Sequence, residues 1–232
     1  KFELDLYPDP EGGRYASPAG ITRVAKADLP PGPPYDPEGR MRSPGFKVLH
    51  VQDIDFRSHH PTLEDCLQTM LAWSDRHPRH IPVYVMVECK SNPIDRPGFT
   101  IPLPFTKATL DSVDAEILRT IPRERIILPD EIRGNHETLE VAVRTGKAWP
   151  TLGEARGRFL FFLLTKDKRR ALYLDGHPTL KGRVMFVTAP SGNPEAAILK
   201  FDNPVRDAEK IKSHVKQGYI VRTRSDSGTK QA

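Results

Sequence analysis

Residues 83–90 read VYVMVECK, and this stretch decides the fold class. The apolar run from Val83 to Val87 is typical of a strand that is buried on both faces of a parallel sheet. Two charged residues follow, Glu88 and Lys90, which share a face because side chains alternate along a strand. Charged residues at the carboxyl end of a buried strand are typical of α/β barrel enzymes, which place their chemistry there.

Short apolar strands alternate with helices along the rest of the chain. The other predicted strands are 2–7, 47–51, 159–164, 184–188 and 219–223. The predicted helices are 62–77, 110–121, 137–145 and 204–217. This alternation predicts parallel βα units. An eight-stranded barrel needs about 250 residues, so six strands in 232 residues predict a TIM-like (β/α) barrel that lacks its first and last strands. An open doubly wound sheet is the alternative, but no glycine-rich phosphate loop supports it.

We predict a single domain over residues 1–232, with a long insertion at 8–46. The insertion is so rich in Pro and Gly that no regular ladder is expected in it. Loops of this length inside a compact domain are functional or disordered. Predicted strands with polar residues at their ends flank the insertion, which favours a functional loop.

The composition excludes several classes of protein. The net charge of +5 and pI near 9.2 could attract nucleic acid or an anionic membrane, but there is no run of five like charges and no nucleic-acid motif, so we predict no nucleic-acid partner. Cys66 and Cys89 lie in apolar runs and are expected to be core thiols. No apolar run reaches 18 residues, so we predict no transmembrane segment.

Three carboxylates stand out because they interrupt apolar strands. Glu3 and Asp5 share one face of the first strand, and burying two unpaired carboxylates is costly. A bound cation or a salt bridge with Lys or Arg would each relieve that cost. With Glu88 the carboxylates form an all-oxygen cluster, which suits Ca²⁺ or Mg²⁺. His50 is either structural or catalytic, and a cation with a histidine and a basic residue at strand ends suggests chemistry on a phosphate ester.

Several segments, taken in chain order, carry a family resemblance. They are Glu3-Leu4-Asp5, residues 9–15 (DPEGGRY), 48–55 (VLHVQDID), 85–90 (VMVECK), 149–152 (WPTL), 157–161 (GRFLF), 192–194 (GNP), 201–204 (FDNP) and 218–224 (GYIVRTR). They resemble the bacterial and fungal Ca²⁺-dependent phosphoinositide-specific phospholipase C family over nearly the whole chain. Glycerophosphodiester phosphodiesterases also have the Glu-x-Asp pattern and a later His, so those residues alone do not distinguish the two families. The Pro-rich insertion and the downstream segments make the resemblance to the phospholipase C family specific.

The resemblance implies a distorted TIM barrel that cleaves phosphatidylinositol to diacylglycerol and a cyclic inositol phosphate. It implies Ca²⁺ as cofactor, with Glu3, Asp5 and Glu88 as ligands. It also implies that His50 is the acid that protonates the diacylglycerol oxygen, and Arg224 resembles an inositol-binding arginine. We add Lys90 as a substrate-binding residue because it shares a face with Glu88.

One departure from the family pattern concerns the first barrel strand. In the family this strand carries a His followed by an Asn, the general base and a further Ca²⁺ ligand. We expect it upstream of Lys1 and the last strand after Ala232, and we expect weak or no catalysis by the chain as given.

The sequence also allows other hypotheses about the function of the chain. The alternatives are a glycerophosphodiester phosphodiesterase, a catalytically inactive phosphoinositide-binding module, and a structural or nucleic-acid-binding protein. The resemblance further implies a secreted monomer that contacts phosphatidylinositol membranes peripherally.

Overall fold

A computed structural model describes residues 1–226, with two compact units in the chain. The first unit contains Lys1–His77 and Met86–Pro122, and the second contains Pro78–Val85 and the chain from Arg123 onward. Strand 83–89 therefore contributes residues to both. The prediction of one domain over residues 1–232 stays a prediction.

The first unit holds three strands and three α-helices. They are β1 (Phe2–Asp9), α1 (Ala19–Lys26), β2 (Gly45–Val48), α2 (Leu63–Arg76), the Met86–Cys89 part of β3 (Val83–Cys89) and α3 (Lys107–Thr120). The strand order is β2-β1-β3, so β1 lies between the other two. Helices α2 and α3 match the predicted positions, and Thr62 caps α2 by accepting a hydrogen bond from the backbone N–H of Asp65.

The prediction of parallel βα units is wrong for the first pair of strands. β1 and β2 run antiparallel, with Leu6 opposite Val48 and Asp9 opposite Gly45. A parallel pair needs a crossover helix that packs its apolar face on the sheet. The helix between these strands, α1, has no buried residue.

Helix α1 lies within residues 8–46, where no regular ladder was expected and no helix was predicted. The helix spans Ala19–Lys26, and a short 3₁₀ turn follows at Arg40–Arg42. The prolines around the helix lie at its borders: Pro18 precedes its first residue, and the next proline is Pro30. Proline is tolerated at the start of a helix, so local proline density did not prevent this one.

The second unit contains the Val83–Val85 part of β3 and most of the short elements. They are α4 (Pro129–Arg133), α5 (Leu139–Arg144), α6 (Leu152–Ala155), β4 (Phe159–Leu164), α7 (Asp167–Leu174), β5 (Phe186–Val187), β6 (Ile198–Lys200), α8 (Ala208–Lys216) and β7 (Ile220–Arg222). Strand β6 was not predicted, because three residues are too few to show a strand period.

Parallel pairing dominates the second unit. β4 pairs with β5 and β6 with β7, both in parallel, and a parallel bridge joins Thr188 to Ile198. Strands alternate with helices here as predicted, so the α/β fold class is confirmed. The described strands do not form a closed sheet, and the complete TIM-like barrel stays a prediction.

Two smaller predictions concern the thiols and the membrane. Cys66 and Cys89 are both buried thiols outside any disulfide, as expected of core residues. Within residues 1–226, no helix combines the length and the apolar character that a membrane crossing needs.

Candidate active site

Three carboxylates meet where β1 lies beside β3 in the first unit. Glu3, Asp5 and Glu88 each offer an oxygen, and these oxygens lie within 4.8 Å of one another. Glu3 and Asp5 share a face of β1, as the alternation of side chains predicted, and Glu88 comes from the end of β3. Asp5 is buried and Glu3 is exposed, so the cluster has a closed inner side and an open outer side.

Lys90 joins this cluster from the residue after β3. Its Nζ lies 3.2 Å from Oδ2 of Asp5 and 3.4 Å from Oε2 of Glu88. The backbone N–H of Lys90 donates to the carbonyl of Leu6 at 2.9 Å, and this hydrogen bond holds the backbone of Lys90 beside β1. Nζ of Lys1 lies 3.8 Å from Oε2 of Glu3. The salt bridges considered as an alternative to a cation are therefore present.

Asp5 nevertheless keeps an oxygen that these salt bridges do not satisfy. Its Oδ1 is buried and has no hydrogen-bond partner among residues 1–226. Burial raises the pKa of Asp5 to about 6; the ammonium of Lys90 opposes this shift, and the charges of Glu88 and Glu3 add to it. A buried carboxylate oxygen without a donor, in a cluster with excess negative charge, fits a hard divalent cation.

His50 lies two residues beyond the end of β2, in an exposed loop. Its Nδ1 lies 2.8 Å from Oδ2 of Asp55, a contact that orients the imidazole and leaves Nε2 for proton exchange. The backbones of Val51 and Asp55 exchange two hydrogen bonds of 2.9 Å, so the loop folds back on itself. The N–H of Leu49, the residue before His50, donates to the carbonyl of Asp5 at 3.3 Å.

Two buried side chains fix the loop that carries His50. Asp53 accepts from the backbone N–H of Ala19 at 2.7 Å and from that of Thr100 at 2.6 Å. The hydroxyl of Tyr7 donates to Oε1 of Gln52 at 2.8 Å. Burial raises the pKa of Tyr7 to about 12, so this phenol keeps its proton. The loop is thus tied to β1 and to α1 at once.

Five of the six predicted site residues belong to the first unit. Glu3, Asp5, Glu88 and Lys90 are in direct contact or within a few ångströms, and His50 follows the residue that hydrogen-bonds Asp5. Arg224 belongs to the second unit, where its exposed guanidinium donates to Asp226 at 2.8 and 3.0 Å.

Sequence reasoning gave no role to Asp55. A carboxylate five residues after a histidine is not a regular strand or helix neighbour, and only the turn between Val51 and Asp55 brings it to the imidazole. The signal in the sequence is the acidic loop itself, in which Asp53 and Asp55 follow a strand end.

Comparisons with known proteins identify the family of this chain. The family model of Ca²⁺-dependent phosphoinositide phospholipase C matches residues 1–232, which is the whole chain. No curated protein sequence matches the chain. The match to the family model confirms the resemblance that was stated from the sequence.

Two solved structures illustrate the structural likeness. One is the calcium-dependent phosphoinositol-specific phospholipase C of a Gram-negative bacterium, Pseudomonas sp. (apo form, myoinositol complex), with a TM-score of 0.64, 16% identity, and coverage of 98% of this chain and 74% of that chain. The other is the Ca²⁺-dependent phosphatidylinositol-specific phospholipase C of Streptomyces antibioticus, with a TM-score of 0.58, 18% identity, and coverage of 94% and 71%. At these identities the likeness concerns the fold.

The prediction of Ca²⁺ as cofactor is confirmed through the family. The family is Ca²⁺-dependent, and its model matches every residue of this sequence. The site residues themselves stay predictions. With a whole-chain match and an oxygen cluster of the right kind, this chain belongs to the Ca²⁺-dependent phosphoinositide phospholipase C family.

Proposed function

We propose that this chain supplies the calcium ligands and the general acid for cleavage of phosphatidylinositol at the bond between phosphorus and the diacylglycerol oxygen, with Glu3, Asp5 and Glu88 as the ligands and His50 as the acid. The observation that carries the proposal is the buried Oδ1 of Asp5, which has no hydrogen-bond partner in the described part of the chain and lies in a cluster of three carboxylates. Such an oxygen is costly in the folded protein unless a cation or donor occupies the cluster.

Calcium bound there would lower the pKa of the inositol 2-hydroxyl and offset the charge that builds on the phosphate oxygens. The protein's own contribution begins with the carboxylates of β1 and β3, which would hold the cation. Lys90 adds a second positive charge at 3.2 Å from Asp5. We propose that this ammonium turns to a phosphate oxygen of the substrate, as a point charge with three donors.

The chemical step exchanges one phosphorus–oxygen bond for another. The 2-hydroxyl oxygen attacks the neighbouring phosphorus and gives up its proton to a general base other than His50, and the bond to the diacylglycerol oxygen breaks. His50 donates the proton that this leaving oxygen needs. Asp55 holds Nδ1 of His50 and stabilises the imidazolium before transfer. The products are diacylglycerol and a cyclic inositol phosphate, which water can open.

Product analysis separates this activity from its alternatives. The protein is incubated with vesicles of phosphatidylinositol and, separately, with glycerophosphoinositol, and phosphorus NMR follows both. A phospholipase C gives diacylglycerol and a cyclic phosphate from the vesicles. A glycerophosphodiester phosphodiesterase prefers the soluble substrate and gives no cyclic phosphate, and an inactive binding module binds vesicles without product.

A matched pair of histidine variants ties that activity to the site. His50→Ala should abolish product formation, whereas His59→Ala, at another exposed loop histidine, should not. Equal rates for the two variants would contradict the role of His50.

Three further points belong to the same proposal. Arg224 contacts the inositol hydroxyls, and its replacement by Lys should raise KM more than it lowers kcat, since a planar donor is lost while the charge is kept. The enzyme acts as a monomer, which light scattering of the purified protein tests. It acts outside the cell, which fractionation of the producing culture tests.

A further inference from the structure

Helix α1 and its surroundings carry an exposed apolar surface that the catalytic site does not use. Ile21, Leu29 and Ile54 are 41%, 58% and 56% exposed, and all three line one cavity of about 600 Å³. Pro30, Pro31, Pro33 and Pro34 form much of the remaining wall. We call Ile21, Leu29, Ile54 and these prolines the α1 surface. Contiguous exposed apolar patches of this kind mark interaction sites.

The α1 surface is held firmly against the loop of His50. A Cβ on Gly20 would lie 2.5 Å from the carbonyl oxygen of Asp53 and 2.6 Å from the Phe56 ring, so the helix packs there as closely as a glycine allows. The backbone N–H of Ala19 donates to Asp53 at 2.7 Å. Ile54 belongs to that same loop and precedes Asp55, the partner of His50.

The charges beside the α1 surface are mostly positive. Arg23 and Lys26 occupy the last turn of α1, and Arg57 lines the cavity. The acids are Asp28 and Asp55, the second of which also lines the cavity, so three cations stand against two acids. The guanidinium of Arg23 lies 5.7 Å from the centre of the Phe99 ring, so this cation is positioned on the surface of the first unit.

Apolar side chains flanked by cations match the interface of an anionic bilayer. The apolar groups enter the boundary between headgroups and acyl chains, while Lys and Arg meet the lipid phosphates. We propose that the α1 surface inserts into the headgroup layer of an anionic phospholipid membrane and thereby brings the His50 loop to its lipid substrate. This inference rests on the proposed function, because it names how that activity reaches a substrate embedded in a membrane.

Vesicle partition tests the surface without turnover. Wild type and Ile21→Ser/Leu29→Ser are sedimented with phosphatidylcholine vesicles, with and without phosphatidylinositol, in a calcium chelator. Each substitution should weaken partition by about tenfold, because it removes one large apolar side chain from the lipid contact. Lys26→Glu should weaken binding only to the anionic vesicles and only at low salt. Ile81→Ser, a 63% exposed control that precedes β3, should bind like wild type.

Turnover separates the failure of this inference from the failure of the proposed function. On a short-chain phosphatidylinositol dispersed as monomers, Ile21→Ser/Leu29→Ser should keep its rate, and on vesicles it should lose the same factor as in binding. Wild type that turns over neither substrate would refute the proposed function, and the partition result would still decide the surface.

Two outcomes would overturn the inference. One is partition of Ile21→Ser/Leu29→Ser equal to that of wild type. The other is a wild-type dimer in the absence of lipid that this variant dissociates, which would show that a second copy of the chain covers the surface.

Discussion

Replacing Asp5 by Asn should stabilise the calcium-free protein, although it removes a site residue. Burial and the nearby charges of Glu88 and Glu3 raise the pKa of Asp5 from 3.8 to about 6, despite the opposing charge of Lys90. A shift of roughly two pKa units corresponds to at most about 3 kcal/mol at pH 7.5. The cluster opens to solvent on one side, so screening reduces this to about 1–2 kcal/mol.

The direction in which Asp5 changes the stability of the folded protein with pH follows from proton linkage. The folded protein holds the Asp5 proton more tightly than the unfolded chain does, so this group favours folding at low pH. Its contribution is lost as the pH rises from about 4 through 6, the window between the two pKa values. Asn stays neutral throughout, so Asp5→Asn should be flatter than wild type in this window. Burial also raises the pKa of Glu116, to about 7, so the difference between variants isolates Asp5.

Thermal unfolding between pH 4 and 8, in a calcium chelator, measures this effect. For a chain of this size 1 kcal/mol corresponds to about 2–4 °C, so Asp5→Asn should unfold about 3–6 °C above wild type at pH 7.5. Added calcium should raise the unfolding temperature of wild type and leave the variant nearly unchanged, because a ligand stabilises only the state that binds it. Asp95→Asn, an exposed control, should follow wild type in both conditions.

A lower unfolding temperature for Asp5→Asn than for wild type without calcium would refute the reasoning. It would mean that the Lys90 salt bridge outweighs the cost of burying the carboxylate.

Three further predictions test the neighbouring groups. Glu88→Gln should remove most of the calcium-dependent rise in the unfolding temperature, and an unchanged rise would count against Glu88 as a ligand. His50→Ala should lower vesicle turnover by about 10²-fold or more while calcium affinity measured by calorimetry stays the same, because the acid is lost and the ligands are kept; wild-type rates would remove its catalytic role. Lys90→Gln should tighten calcium binding by about tenfold, since a competing positive charge leaves the cluster, and yet slow turnover; weaker calcium binding would contradict the contact with Asp5 and Glu88.

The sequence predicted the parts of this fold that depend on residue periods. The buried run from Val83 to Val87 and the apolar stripes of α2 and α3 lie where their spacing placed them, because burial imposes those periods. It failed at α1 and β6, where short elements in a proline-rich or irregular context carry too few residues to show a period. The antiparallel pairing of β1 and β2 was also missed, because pairing direction depends on how the chain returns to the sheet.

The candidate site also has features that the sequence predicts and features that it does not predict. Alternation along β1 predicts that Glu3 and Asp5 share a face, and the same rule places Glu88, near the end of β3, on one face with Lys90, the residue after it. No spacing rule predicts that a turn brings Asp55 to His50, or that one oxygen of Asp5 finds no donor among the residues that the structure describes. Those features arise from packing between β1, β3 and the loop after β2.

Lipid cleavage should depend on calcium through the carboxylate cluster, and a calcium titration of activity measures that dependence. Release of inositol phosphate from phosphatidylinositol vesicles is measured against free calcium for wild type and Glu3→Gln. We predict no release in chelator, a saturating rise for wild type, and a curve for Glu3→Gln displaced to at least about tenfold higher calcium, since one charged ligand is lost. Release by wild type that persists in chelator, or superimposable curves for the two proteins, would contradict the account.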